Sequence, residues 1–252
     1  MPWSRSSDCV VVWSYFQRVC VALLASWLFT APAGAEGFRY LLLDGHLVKW
    51  GSPELGAATT VSYRIVDRTH SFSEARNCRS LAPPAALLER SDIGIAAFRS
   101  DLEAAFAMWQ AAAGIAFVPA ADGETADILI GAQGSPAGIA FADVHYDREA
   151  QSAIKPIRRG LICLNPQRQW RQHDAAGPAD AYDLQRVLAH EIGHAIGLNH
   201  AGPRGALMSF VYDENLSTLQ AGDIAGALAL YGADEPPANA AAIVETSQSP
   251  TN

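Results

Sequence analysis

Apolar positions recur at two spacings along this chain. Between Ser91 and Ala113, the residues Ile95, Phe98, Leu102, Ala105, Phe106 and Trp109 fall three or four apart, which places them on one face of a helix. Gly114 ends that stretch. A second helix is predicted from about Asp180 to Ile196, with Leu184, Leu188, Ile192, Ala195 and Ile196 as its buried stripe and Gly197 as its stop. A third runs from about Gln220 to Tyr231, before Gly232. Thr60 to Arg68 alternates and is rich in β-branched residues, so it reads as a strand. Ile115 to Ala121 and Ala126 to Ala132 are strands split by the turn Asp122-Gly123, and Ile139 to Val144 and Gly160 to Asn165 are two more. Residues 69–90 read as irregular, with Asn77, Pro83 and Pro84 as breakers, and Tyr146 to Arg159 reads as a polar surface loop. Strands with one helix inserted early and two late predict a single α+β domain.

The ends read differently. Arg5 and Arg18 precede an apolar run from Val19 to Thr30, and Ala33-Gly34-Ala35 offers small residues for cleavage, so residues 1–35 are expected to be a secretory signal. That run is short of the roughly 20 apolar residues that a membrane-spanning helix needs. An exported product, extracellular or periplasmic, is the expectation, with no membrane attachment after cleavage. The domain would then span 36–233, and the Pro-, Ala-, Ser- and Thr-rich tail 234–252 is expected to be disordered. Removing residues 1–35 removes Cys9 and Cys20 and leaves Cys78 and Cys163, an even pair that an exported chain can oxidise to a disulfide.

Half of the chain is hydrophobic, enough for a sizeable core, and the net charge is −8 with only two lysines, Lys49 and Lys155. That balance excludes the basic face a nucleic-acid partner requires.

One stretch of the second helix carries chemistry: His190-Glu191-Ile192-Gly193-His194-Ala195-Ile196-Gly197-Leu198-Asn199-His200. Residues four apart on a helix lie about 40° apart around its axis, so His190 and His194 can reach one ion. Glu191 lies about 100° to the side, too far round to ligate but placed to lean over a neighbouring water. Gly197 permits a positive φ, and the turn it makes brings His200 back. Three imidazoles leave one vertex open, as catalytic rather than structural zinc requires. Copper, nickel and iron also accept imidazole, and zinc is the default for an exported chain with no thiolate in the cluster.

These residues match H-E-x-x-H-x-x-G-x-x-H, and the chain resembles the metzincin zinc metalloproteases, most of all the matrixins. Met208, in Ala206-Leu207-Met208-Ser209, stands where that clan has its Met-turn. Weaker similarity runs from Leu47 to Gly232 and includes Val61-Ser62-Tyr63-Arg64-Ile65, Met108-Trp109, Ala126 to Ile130 and Asp223-Ile224. The resemblance implies a twisted mixed sheet of about five strands with three helices. It implies a secreted zinc endopeptidase in which His190, His194 and His200 hold the metal and Glu191 is the general base. It also implies a substrate strand laid along Ile139 to Ala142, and a side-chain pocket lined by Phe210 to Leu216 with Tyr212 in its wall.

Phe141 and Cys163 occupy the positions where matrixins place histidines for a second, structural zinc, so one zinc is expected. His46, His70, His145 and His173 are read as ordinary histidines, and no acidic calcium loop is recognisable. Phe210 stands in place of a common proline, and the stretch from Glu36 to the first core strand holds no cysteine of the kind that caps zinc in matrixin pro-segments. A monomer acting on protein or peptide substrates is expected. A zinc-containing module that binds peptides without cleaving them, and a zinc hydrolase of cell-wall peptides, are the competing readings. Retention of Glu191 speaks against the first of these, because binding needs only the histidines.

Overall fold

The computed structural model describes residues 37–121 and 124–233. The expected signal at 1–35, the tail from 234 and the turn Asp122-Gly123 lie outside the described residues.

Five main strands form a mixed sheet: β1 (Thr59–Ile65), β2 (Ile115–Pro119), β3 (Ile128–Gln133), β4 (Ala140–Tyr146) and β5 (Lys155–Leu164). Their order is β2-β1-β3-β5-β4, with the first four parallel and β4 antiparallel to β5. Every residue of β3 is buried, which explains its continuous apolar run Ile128-Leu129-Ile130: it is flanked on both sides and covered on both faces. Among the described residues β4 pairs only with β5, so its other edge is free.

Four helices accompany the sheet: α1 (Ala85–Ser91), α2 (Ile95–Ala112), α3 (Leu184–Ala195) and α4 (Ala221–Tyr231). The architecture is the α+β matrixin-like one expected, with one helix more. The extra element, α1, lies in the stretch read as irregular. Pro84 does not break it but sits at its N-cap, and Asp92 ends it with φ 53°. Ser91 therefore closes α1, and α2 starts at Ile95 after Gly94. Ile95 is exposed rather than part of the buried stripe, which starts at Phe98. The loop expected at Tyr146 to Arg159 is shorter, since Lys155 to Arg159 already belong to β5.

α2 lies on the sheet through an aromatic stack in which Phe106 stands 4.3 Å from Tyr63 of β1 and 4.4 Å from Phe117 of β2, ring centre to ring centre. Its Trp109 is wholly buried and donates its indole N–H to Ala189 O of α3 at 2.9 Å. Each such large apolar side chain contributes about 1.5–3 kcal/mol on burial. The sheet's other face carries a smaller cluster of Val66, Phe72, Leu81, Leu129 and Leu161 around a disulfide between Cys78 and Cys163.

That disulfide joins residues 85 apart, with Cα atoms 5.8 Å from each other. Closing so long a loop restricts the unfolded chain strongly. Urea unfolding of a Cys78→Ser, Cys163→Ser double variant is expected to show a loss of about 2–5 kcal/mol relative to the oxidised protein. An unchanged midpoint would refute this. Among the described residues no helix is long and apolar enough to cross a membrane.

Candidate metal centre

The site is built on α3. Asp183 caps its N-terminus by accepting from Arg186 N at 3.1 Å. Leu184, Leu188, Ile192 and Ala195 face the core, and this fixes the opposite face toward a cleft. Trp50 donates its indole N–H to Ala195 O at 2.9 Å, and the Tyr231 hydroxyl donates to Ile196 O at 2.6 Å. These bonds satisfy carbonyls that the end of a helix would otherwise leave bare.

The chain then turns at Gly197, whose φ is 102°. A Cβ there would overlap the Val48 carbonyl, so both the conformation and the space demand glycine. Leu198–Asn199 next pairs with Arg39–Tyr40, and this pinned segment delivers His200. The ligand atoms of His190, His194 and His200 lie within 4.8 Å of one another, and His194 Nε2 is 3.2 Å from His200 Nε2.

Two contacts fix which nitrogens face inward. His190 Nδ1 is 2.8 Å from Leu207 O, and His194 Nδ1 is 2.9 Å from Leu198 O. A carbonyl can only accept, so each Nδ1 carries the proton and each Nε2 keeps its lone pair. Burial pushes His190 down to about 4 and His194 well below the usual imidazole range, and it lowers His200 as well. The three rings are therefore neutral near pH 7, the form that ligates metal. A donor set of three convergent neutral nitrogens fits a divalent ion such as zinc. Among the described residues it is the only group of three or more His, Cys, Asp or Glu placed to hold one.

Glu191 is buried beside the trio, where burial, and secondarily the Asp143 carboxylate, push its pKa up to about 8. Glu191 and the three histidines face a cleft of about 520 Å³, with Ala140 to Ala142 of β4 on one side and Phe210 to Tyr212 on the other. Phe210 is 73% exposed and meets the His200 ring edge to face at 5.1 Å.

Met208 forms the floor. A Cβ on Gly193 would overlap its sulfur and stand 2.8 Å from the Trp109 ring, so glycine lets both side chains pack under α3. The turn carrying Met208 hangs from a residue that the sequence reading placed only in the closing helix. Asp223 of α4, 1% exposed, accepts from Leu207 N at 2.8 Å, Met208 N at 3.0 Å and Gln220 N at 2.8 Å. Since Leu207 O accepts from His190 and Met208 N of the same peptide donates to Asp223, Asp223 positions the His190 ring through one peptide unit. An acidic residue three after Gln220 is a capping-box signal, and it could have drawn attention to this position.

The matrixin family model matches residues 86–232, more than half of the 252-residue chain. The chain belongs to the matrixin family. Among curated matrixin relatives, Metalloendoproteinase 1-MMP of Arabidopsis thaliana is 31% identical over 132 residues, 51% of this chain and 36% of that protein. Hatching enzyme of Paracentrotus lividus is 30% identical over 148 residues, 57% of this chain and 24% of the relative. Interstitial collagenase of Sus scrofa is 45% identical over 58 residues, 22% of this chain and 12% of the relative. The chain thus spans well under half the length of these relatives.

Phe141 and Cys163 are cross-strand partners on β4 and β5, and Cys163 is consumed by the disulfide. His173 bonds Asp183 through Nδ1 at 3.0 Å, while His145 lies on β4, His46 and His70 lie on short strands, and among the described residues none of the four joins the trio. Tyr212 lines the cleft, its hydroxyl accepting from Asp183 N at 3.0 Å. Arg186, one turn before His190, also lines the cleft, and the sequence reading missed it. Its signal was a charged residue in the run Leu184 to Ala189, where every residue is buried.

Proposed function

We propose that this matrixin is an exported zinc endopeptidase whose catalytic domain spans 36–233 after loss of a signal at 1–35. His190, His194 and His200 hold one zinc ion. The observation that carries the reading is the convergence of one ring nitrogen from each of three histidines beside a buried carboxylate in an open cleft. The relatives named as metalloendoproteinase and collagenase support it.

Zinc held there supplies Lewis acidity that polarises a carbonyl and eases the deprotonation of water. The chain's own groups do the rest. Glu191 takes a proton on its carboxylate as water attacks the peptide carbonyl, and it returns that proton to the leaving nitrogen. A nearby dication favours the charged form of Glu191 and so opposes the effect of its burial. The carbonyls of Leu207 and Leu198 keep the ligand rings in one tautomer. The free edge of β4 accepts the substrate backbone as an added strand, with the segment after Met208 receiving a side chain.

The test is incubation of the purified protein with an internally quenched peptide library, with metal content measured in parallel. One zinc per chain is expected, with cleavage that stops on chelation and returns with added zinc. His200→Ala should lower zinc occupancy and activity together. Stoichiometric zinc without turnover of any peptide would favour the binding-module reading. Turnover confined to cell-wall peptides would favour the other hydrolase.

A further inference from the structure

The chain between β1 and α1 adds to the cleft a wall that the zinc motif does not announce. It forms a hairpin in which His70–Ser71 pairs with Ser80–Ala82, and Leu81 and Ala82 pair in turn with Gln133 and Ala132 of β3. The hairpin lies ahead of residues 86–232, which the family model matches. Its tip is held at several points. Phe72 and Ala75 are buried, and Cys78 is tied to β5 by the disulfide with Cys163. Asp143 of β4, 8% exposed, accepts from Asn77 N and from Cys78 N at 2.7 Å each, and from Asn77 Nδ2 at 3.2 Å. Arg79 Nε closes the turn by donating to Ala75 O at 3.0 Å. So anchored, the tip presents Arg76 and Asn77 to the same cleft that Glu191 and the three histidines face.

The chain carries a net charge of −8, yet no carboxylate is left for Arg76. Asp143 is occupied by three N–H donors of the turn itself, and Glu74 faces Arg159 at 3.7 Å. Among the described residues Arg76 has no ion pair, and its side chain is exposed at the cleft. The backbone on either side of it is already ordered, so a ligand has only one side chain left to fix. β4 turns Phe141 and Asp143 toward the hairpin. An extended peptide added to β4 points successive side chains to opposite faces, so every second one lies on the hairpin's side. A carboxylate there meets a planar fork of N–H donors that matches it in shape and charge.

We propose that Arg76 is a specificity-determining residue that takes an acidic side chain, Glu or Asp, of a peptide lying along β4. The disulfide and Asp143 hold the turn, and the guanidinium reads the charge. The proposal rests on the peptidase reading for its kinetic test, and on the cleft alone for its binding test. A peptide's terminal carboxylate has the same chemistry, so the peptides used are C-terminally amidated.

Pools of amidated peptides, each with one position fixed as Glu, Gln or Lys, are compared on the zinc-loaded wild type. At one position kcat/KM for Glu is expected to exceed that for Gln by about 3- to 5-fold, the upper range for an exposed ion pair. The preference should fade in about 1 M salt, where charges are screened beyond roughly 3 Å. Arg76→Gln should bring Glu and Gln level, and Arg76→Glu should reverse the order so that Lys is favoured at that same position. A side chain that only supported the fold would not invert the selectivity. Both substitutions are at an exposed position, and melting curves establish that the variants fold.

No acidic preference at any position in the wild type, or a Glu preference that survives Arg76→Glu, overturns the proposal. If the wild type cleaves no pool, fluorescence anisotropy of the same labelled peptides on the zinc-loaded protein decides. Tighter binding of Glu than Gln, reversed in Arg76→Glu, supports the site even though the peptidase reading has failed. Equal binding of the pools refutes the site as well.

Discussion

Exchanging Glu191 for glutamine is expected to lower peptide turnover about 10²- to 10⁴-fold, the span attributed to a positioned general acid–base, while zinc content stays at one per chain. Glutamine keeps the size and much of the polarity of the side chain, so the packing of α3 survives. What it loses is a site that can take a proton and give it back. Glu191 is not among the three converging ligands, so the metal has no reason to leave. The substitution thus separates holding zinc from using it. Metal analysis and steady-state kinetics on one preparation make the comparison, and zinc-loaded protein that still turns over at more than a tenth of the wild-type rate would remove Glu191 from the mechanism.

Asp223→Ala should be the most damaging change away from the three histidines. It strips the acceptor from three backbone N–H groups at once, two of them in the turn that carries Met208. Each buried donor left without a partner costs about 1–3 kcal/mol. A total of roughly 3–9 kcal/mol for the three is a large part of the 5–15 kcal/mol that stabilises an ordinary domain. For a domain of this size, a fall of about 10 °C or more in Tm is expected, from about 2–4 °C per kcal/mol. Zinc affinity should fall as well, by about 10- to 100-fold, because the Leu207 carbonyl that orients His190 loses its anchor. Asp223→Asn keeps one acceptor oxygen and should fall between. Calorimetry with and without chelator measures both effects, and a Tm within 2 or 3 °C of the wild type would show that the turn holds without Asp223.

The features legible in the sequence were those written in neighbouring residues. His190, Glu191 and His194 share one helical turn, and Gly197 announces the bend that returns His200, so the site could be read from eleven consecutive positions. The main strands and helices followed from spacing for the same reason. Interactions between distant segments were harder to read. Asp223 acts on Leu207 and Met208 across 16 and 15 residues, and no local pattern says so. The disulfide was legible only as an even pair of cysteines in an exported chain. The helix α1 was missed because prolines read as breakers, although a proline at a helix start costs nothing when its missing N–H would be unused. Arg186 was missed because the eye follows the apolar stripe and passes over the charge set among it.

The three tryptophans of the described domain share a property that makes the protein its own reporter. Trp50, Trp109 and Trp170 are all 4% exposed or less, and each indole N–H is bonded to a backbone carbonyl, two of them on α3. Their ultraviolet emission comes from dry, immobilised rings, and the Trp109 ring and the Met208 thioether both close on the space that Gly193 leaves. Loosening of α3 must wet or free those rings, so its integrity can be followed by colour and intensity in unlabelled protein.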